Sequence, residues 1–140
     1  MKNFGRLIKE TAIQQSRHFN NFARKYHLTA VQMSIIDFLN VYKDRTIFQK
    51  DIEHEFLIGK AETSSLLKRM EKRNLVARKQ LPTDARQRQV VLTPKSERAE
   101  AVIAKYMKHQ QQLITSPFNK QQISLIRKFF KHLIKVNQNK

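Results

Sequence analysis

Only two glycines and three prolines interrupt 140 residues, and this scarcity of chain breakers limits the fold more than any other feature. Sharp turns are confined to a few places, so the chain is expected to be mostly helix with short connections. Those places are Lys43-Asp44-Arg45, Gly59, Pro82, Thr93-Pro94 and Ser116-Pro117.

Between the breaks the apolar residues follow helical periods. Phe4, Leu7, Ile8, Phe19, Phe22 and Tyr26 recur at three- and four-residue steps and predict a long first helix, its stripe interrupted at Gln14-Gln15-Ser16. Thr29-Ala30-Val31-Gln32 has the capping-box form and opens a second helix carrying Val31, Ile35, Phe38, Leu39 and Tyr42. Thr46 is expected to cap a short third helix with Phe48, Ile52 and Phe56. Beyond Gly59, which serves as an N-cap, Thr63, Leu66, Leu67 and Met70 share one face, and Asn74 stands where a helix end takes the left-handed conformation. Two short helices joined by a tight turn carry the helix-turn-helix signature.

The pattern then changes. Residues 76–80 and 88–92 are strand-length runs, and with Pro82, Thr83 and Asp84 between them they predict a hairpin. Thr93-Pro94 starts a helix through Ala99, Val102, Ile103, Tyr106 and Leu113, and Asn119 caps a last one with Ile123, Ile126, Phe130, Leu133 and Ile134 on its apolar stripe. The length predicts one domain over residues 1–140.

Charge narrows the function. Twenty-eight Lys+Arg against 11 Asp+Glu give a formal +17, which makes nucleic acid the leading partner. Residues 101–140 contain no acid, while Lys105, Lys108, Lys120, Arg127, Lys128, Lys131, Lys135 and Lys140 are all cationic; a solvated basic face and a phosphate or other anion contact both fit. The absence of cysteine excludes disulfides, thiolate metal sites and thiol chemistry. The five histidines show no close ligand spacing, so no metal or other cofactor is expected. Without a glycine-rich phosphate loop, a nucleophile elbow or a paired acidic motif, an enzyme is not expected either. No apolar run reaches the roughly 18 residues of a membrane span, and residues 1–10 lack a signal-peptide core, which points to a cytoplasmic protein.

The order helix, helix, short helix, turn, helix, hairpin, helix, helix resembles the MarR family of winged helix-turn-helix regulators. "LTAVQMSIIDFL" is similar to that family's second-helix opening, "ETSSLLKRMEKRNLVARK" to its recognition helix and first wing strand, and "DARQRQVVLTPKS" to its wing and return. The resemblance spans residues 28–96, the winged helix-turn-helix, and implies a mainly α fold with a small β-hairpin wing. Residues 1–27 and 97–140 then supply dimerisation helices. It departs from the family pattern at Gln87, where a second acidic residue is common, and at Asn74 and Ser96, where glycine is common.

The implied function is a homodimeric, sequence-specific DNA-binding regulator of transcription, by resemblance a repressor released by a small ligand. A dimer of this kind meets a pseudo-palindromic operator with half-sites about one helical turn apart. On the recognition helix Lys60, Ala61, Glu62, Ser64, Ser65 and Lys68 point away from the apolar face. Serine can donate or accept, Glu62 can accept from a cytosine amine, and Ala61 can meet a thymine methyl. Lys68, Arg69 and Lys72 suit phosphates. In the wing, Arg86 is the candidate for minor-groove insertion, and Asp84 can accept a bidentate pair from an arginine and hold it extended. Arg88 either contacts a phosphate or faces water. Phe19, Phe22, Tyr26, Phe38 and Tyr106 are candidates to line a ligand cleft, for which a phenolic or lipophilic anion would suit the basic composition, although their helical spacing also fits core packing. Two alternatives remain: a non-specific architectural nucleic-acid binder, for which charge alone suffices, and a membrane-surface or protein-groove binder using "QQISLIRKFFKHLIKV".

Overall fold

A computed structural model describes residues 2–138, all but the side chain of Ala85, so Met1, Asn139 and Lys140 lie outside the described residues. The elements follow in the order α1 (Phe4–Arg24), α2 (Ala30–Val41), α3 (Gln49–Phe56), α4 (Lys60–Lys72), β1 (Val76–Leu81), β2 (Asp84–Leu92), α5 (Pro94–Thr115) and α6 (Lys120–Gln138). The fold is thus mainly α with one two-stranded antiparallel wing. Two compact units divide within α5, the first Met1–Ile103 and the second Ala104–Lys140.

Helix ends in the first unit have local causes. Asn3 accepts from the amide of Arg6, and Thr29 with Gln32 forms the reciprocal capping box that starts α2. The α1–α2 connection is closed by Asn20, whose Oδ1 accepts from the Ala30 amide at 2.9 Å. It turns at His27, which takes a left-handed φ of 58° while the Leu28 amide reaches back to the Ala23 carbonyl. Burying a Leu, Ile or Met side chain contributes about 1.5–3 kcal/mol, and Met33, Ile35, Ile36, Ile52, Leu67 and Met70 are all fully buried. These residues lock α2, α3 and α4 onto one core.

Two expectations require correction. Thr46 does not cap α3. Residues 47–48 are drawn instead onto the wing, where the Val90 amide donates to the Ile47 carbonyl and Phe48 bridges Gln89. The helix therefore begins later, with Phe48 as its cap residue and the Asp51 carboxylate accepting from the Phe48 amide at 2.8 Å. Backbone pairing with β2 has displaced the local cap. The hairpin also closes more tightly than expected, since Leu81 pairs with Asp84 across Pro82-Thr83 and β2 starts at Asp84 rather than at Arg88. The next pair is Gln80 with Arg88, so residues 85–87 are accommodated in an irregularity of β2.

α4 is preceded by its N-cap Gly59 and closed after its C-cap Arg73 by Asn74, whose φ of 58° permits the Asn74 amide to donate to Glu71 and the Leu75 amide to Met70. This is the Schellman closure, and asparagine replaces glycine there at small cost. The turn between α3 and α4 carries a third left-handed residue, Leu57, with φ 53° and 92% exposed. At the head of α5, Ser96 is fully buried, and its hydroxyl accepts from the Thr93 amide at 3.0 Å and donates to the Thr93 carbonyl at 2.8 Å. A serine three residues after the cap thus does the work of the Glu or Gln of a capping box, which gives Ser96 a structural reason that a glycine would not have.

In the second unit Asn119 and Gln122 form a reciprocal cap, each side chain accepting from the other's amide at 2.8–2.9 Å. None of the described α6 residues is buried.

Ser96→Ala is expected to destabilise the protein by about 1 kcal/mol, the usual cost of losing a helix cap, measurable by urea denaturation. A second expectation concerns Asp37 on α2, whose carboxyl is held above its ordinary 3.8 by burial. The folded state binds that proton more tightly than the unfolded one. The resulting stability is full below pH 3.8 and is lost as pH rises through the folded value. Asp37→Asn should therefore raise the thermal midpoint at pH 7 and lose that advantage near pH 3.

Candidate nucleic-acid interface

The buried stripe of α4, Thr63, Leu66, Leu67 and Met70, fixes where every other side chain of that helix points. At 3.6 residues per turn, Ala61, Ser65, Lys68 and Lys72 stand opposite it, and all four are exposed. Lys60 and Ser64 flank this face toward the wing. Glu62 and Arg69 flank it on the other side, where they line a groove of about 620 Å³ with Ala12, Phe19 and Val31 of α1 and α2. Glu62 is thus held away from the centre of the face on which it was expected, and Arg69, expected at a phosphate, shares that flank.

The wing presents its charges differently from a simple loop tip. Asp84 Oδ1 accepts from the backbone amide of Arg86 at 2.9 Å, and the Arg86 Nε lies 3.8 Å from the same oxygen. The expected bidentate pair is not formed. The carboxylate instead fixes the backbone of the irregular segment, and the Arg86 side chain, 94% exposed, is left extended into solvent. An exposed pair of this kind contributes about 0–1 kcal/mol to stability. Its consequence is the direction in which Arg86 projects.

Between wing and helix lies an open groove of about 400 Å³ whose lining includes five cations, Lys50, Lys60, Arg78, Arg86 and Arg88, against one acid, Glu53. Lys60, Arg86 and Arg88, expected from the sequence, are brought together here. Lys50 and Arg78 were not expected. Lys50 reaches the groove because residues 47–48 pair with β2, a tertiary contact that leaves no periodic trace in the sequence.

Arg78 is the hub of the network behind the groove. It meets Glu71 of α4 at 2.7 Å, with both side chains largely shielded, and its Nη1 lies 3.5 Å from Oε1 of Gln49. Gln49 in turn donates to Glu53 at 3.1 Å and to the Lys60 carbonyl at 3.3 Å. The network ties α3, both ends of α4 and the first wing strand into one frame. At the far end of α4, the Thr93 hydroxyl donates to the Asn74 carbonyl and Lys95 Nζ to the Arg73 carbonyl at 2.7 Å. Arg73 itself reaches the Gln32 side chain of α2 at 3.4 Å.

The aromatic residues proposed for a ligand cleft divide among several places. Phe19 lines the groove beside Glu62 and Arg69. Phe22 contacts Tyr26 ring to ring at 5.4 Å, and Phe38 packs edge-on against Phe56 at 5.7 Å and Tyr42 at 5.1 Å. Tyr106 belongs to the second unit, where burial raises its hydroxyl above its ordinary 10.0. Among the described residues no group of three or more His, Cys, Asp or Glu side chains could hold a metal ion. No described helix is long and apolar enough to cross a membrane.

A helix exposing small and basic residues beside a cationic two-stranded wing is the arrangement of a winged helix-turn-helix DNA-binding protein. Residues 27–87 match the sequence model of the MarR family. The crystal structure of the transcription regulator MarR from Oenococcus oeni PSU-1 is 39% identical in sequence and superposes with a TM-score of 0.88, over 95% of this chain and 99% of that one. Two structures of S. aureus MepR, at 14% identity, share the fold. The MepR–DNA complex has a TM-score of 0.85 over 97% of this chain and 98% of that one; MepR in its DNA-binding conformation has 0.91 over 96% and 98%. No curated protein sequence matches the chain. The chain belongs to the MarR family, and it is a DNA-binding transcription regulator.

Arg78→Ala should destabilise the protein by about 2 kcal/mol, because it leaves the part-buried Glu71 carboxylate without its partner. Glu71→Ala combined with Arg78→Ala should cost less than the two single losses summed, as read from a denaturation cycle.

Proposed function

We propose that this protein is a homodimeric repressor that reads a pseudo-palindromic operator and is released by a small organic ligand. The observation that carries the reading is the cationic groove between α4 and the wing, which leaves the Arg86 guanidinium almost wholly exposed beside an α4 face of small and basic side chains. Ala61 and Ser65, at the N-terminal end of that face, together with Ser64 at its wing-side edge, are short enough to let the helix backbone approach base edges in the major groove. Lys60, Lys68 and Arg88 supply phosphate contacts. Arg86 enters the adjoining minor groove, with Asp84 holding the backbone that aims it. Glu62 and Arg69, at the rim of the α1–α2 groove, act at the edge of the site.

Dimerisation is supported by apolar surface left uncovered in a single chain. On α1, Phe4, Leu7, Ile8 and Ile13 are 40–69% exposed, and on α6 Leu125, Phe130, Ile134 and Val136 are 49–67% exposed. Exposed large apolar side chains in stripes of this kind mark an association surface, and a second copy of the chain would supply a matching one. The ligand's place is the groove between α1, α2 and α4, where Phe19, Phe56 and Leu66 give an apolar floor and Arg69 a cationic rim. A phenolic or lipophilic carboxylate seated there would favour one position of α4 over another, and only such a difference in affinity shifts the equilibrium.

Fluorescence anisotropy across a salt series tests this, with DNA from immediately upstream of the gene and a shuffled duplex of equal composition. A preference for the native duplex that persists as salt rises is expected; equal affinities at every salt concentration would contradict sequence reading. Arg86→Ala should weaken operator binding by about 1–3 kcal/mol with the fold intact. Ser64→Ala with Ser65→Ala should lower the preference more than the affinity. A uniform loss on all sequences would instead make those serines phosphate contacts.

A further inference from the structure

The positive charge of this protein is concentrated outside its DNA-reading segment. Residues 28–96, the winged helix-turn-helix, hold 13 Lys+Arg and 8 Asp+Glu, a net +5 of the total +17. Residues 101–140 hold eight Lys+Arg and no acid, so no side-chain carboxylate within that stretch can neutralise them. The winged helix-turn-helix accounts for only a minor part of the charge.

On α6 the cations are gathered on one side. At 100° per residue, Lys120, Arg127, Lys128, Lys131 and Lys135 fall within one arc, all five exposed. Ile126, Phe129, Phe130 and Leu133 lie in the opposite arc. Lys120 to Lys135 span about 22 Å of helix, and Arg127, Lys131 and Lys135 follow one another at about 6 Å. A straight row of like charges with no acid interspersed is unfavourable by itself and gains most from a partner that carries its own row of anions.

We propose that the lysine face of α6 is a second, sequence-independent binding surface for duplex DNA. Its composition separates this partner from the others. A helix lying on a membrane must bury its apolar arc in the lipid, and on the reading above that arc of α6 is covered by the second copy of the chain. Protein interfaces draw their energy from aromatic and arginine anchors in desolvated pockets, whereas this arc is dominated by lysines on flexible stems. Ammonium groups at the ends of such stems suit phosphates met without regard to sequence. The face would give the protein affinity for duplexes that contain no operator.

The test is binding of a random-sequence duplex of about 30 base pairs by the full-length protein across a salt series. The unchanged protein is compared with Lys128→Gln/Lys131→Gln/Lys135→Gln and with Arg86→Ala. The triple variant should lose at least about tenfold in affinity at low salt, and its slope of log K against log salt should fall by about 0.9 for each phosphate contact removed. Arg86→Ala should leave the α6-dependent part of the binding in place. Replacing the same three lysines with arginine should restore binding, which separates lost charge from altered folding. Unchanged affinity and slope in the glutamine variant would overturn the proposal, as would loss of binding to phosphatidylserine vesicles with DNA binding intact. The operator preference of the glutamine variant, measured against the shuffled duplex, is a separate result: its absence would count against operator reading and not against the α6 surface.

Discussion

The C-terminal end of α4 is the junction on which the rest of the reading head depends. A helix end leaves backbone carbonyls without partners, and a buried end must find them elsewhere. Here the left-handed Asn74 folds the amides of residues 74 and 75 back onto Glu71 and Met70, and Thr93 and Lys95 donate to the carbonyls of Asn74 and Arg73. The first pair of bonds launches β1 at a fixed angle. The second ties the start of α5 to the helix just before it, so the wing leaves and returns at the same point. Ser96 then secures that return by closing the cap of α5 from a buried position.

The Glu71–Arg78–Gln49 network extends the same constraint to the other end of α4. Because Gln49 also bonds the Lys60 carbonyl, the start of α4, the first wing strand and α3 cannot shift independently without breaking a hydrogen bond or ion pair. Such bonds add little net stability when formed and cost much more when one partner is removed. Their contribution is geometric. They hold the Arg86 wing and the small-residue face of α4 at a set separation.

Much of this was legible in local sequence. The Thr29–Gln32 box, the Gly59 cap, the left-handed Asn74 and the buried Thr63–Leu66–Leu67–Met70 stripe are each decided within one turn of helix, where cap chemistry and the 3.6-residue period act alone. Thr46 was misleading for the opposite reason: a residue competent to cap lost its helix to a pairing with β2, a strand more than 40 residues downstream. The wing register failed similarly. Pro82-Thr83 was readable as a turn, but the pairing of Leu81 with Asp84 and the irregularity that follows were not, because strand residues alternate without marking which partner each will face.

The sequence by itself determined the order of elements and the family, because periodicity, capping and turn chemistry are local and the resemblance lies in contiguous motifs. It also determined the lopsided charge, which is simple arithmetic along the chain. Tertiary structure alone decided which cations share a groove, bringing Lys50 and Arg78 to Lys60, Arg86 and Arg88 and placing Glu62 and Arg69 on the flank beside α1. Those outcomes arise from packing and backbone pairing between residues far apart in the chain, and the alternation of residue types along it does not encode them.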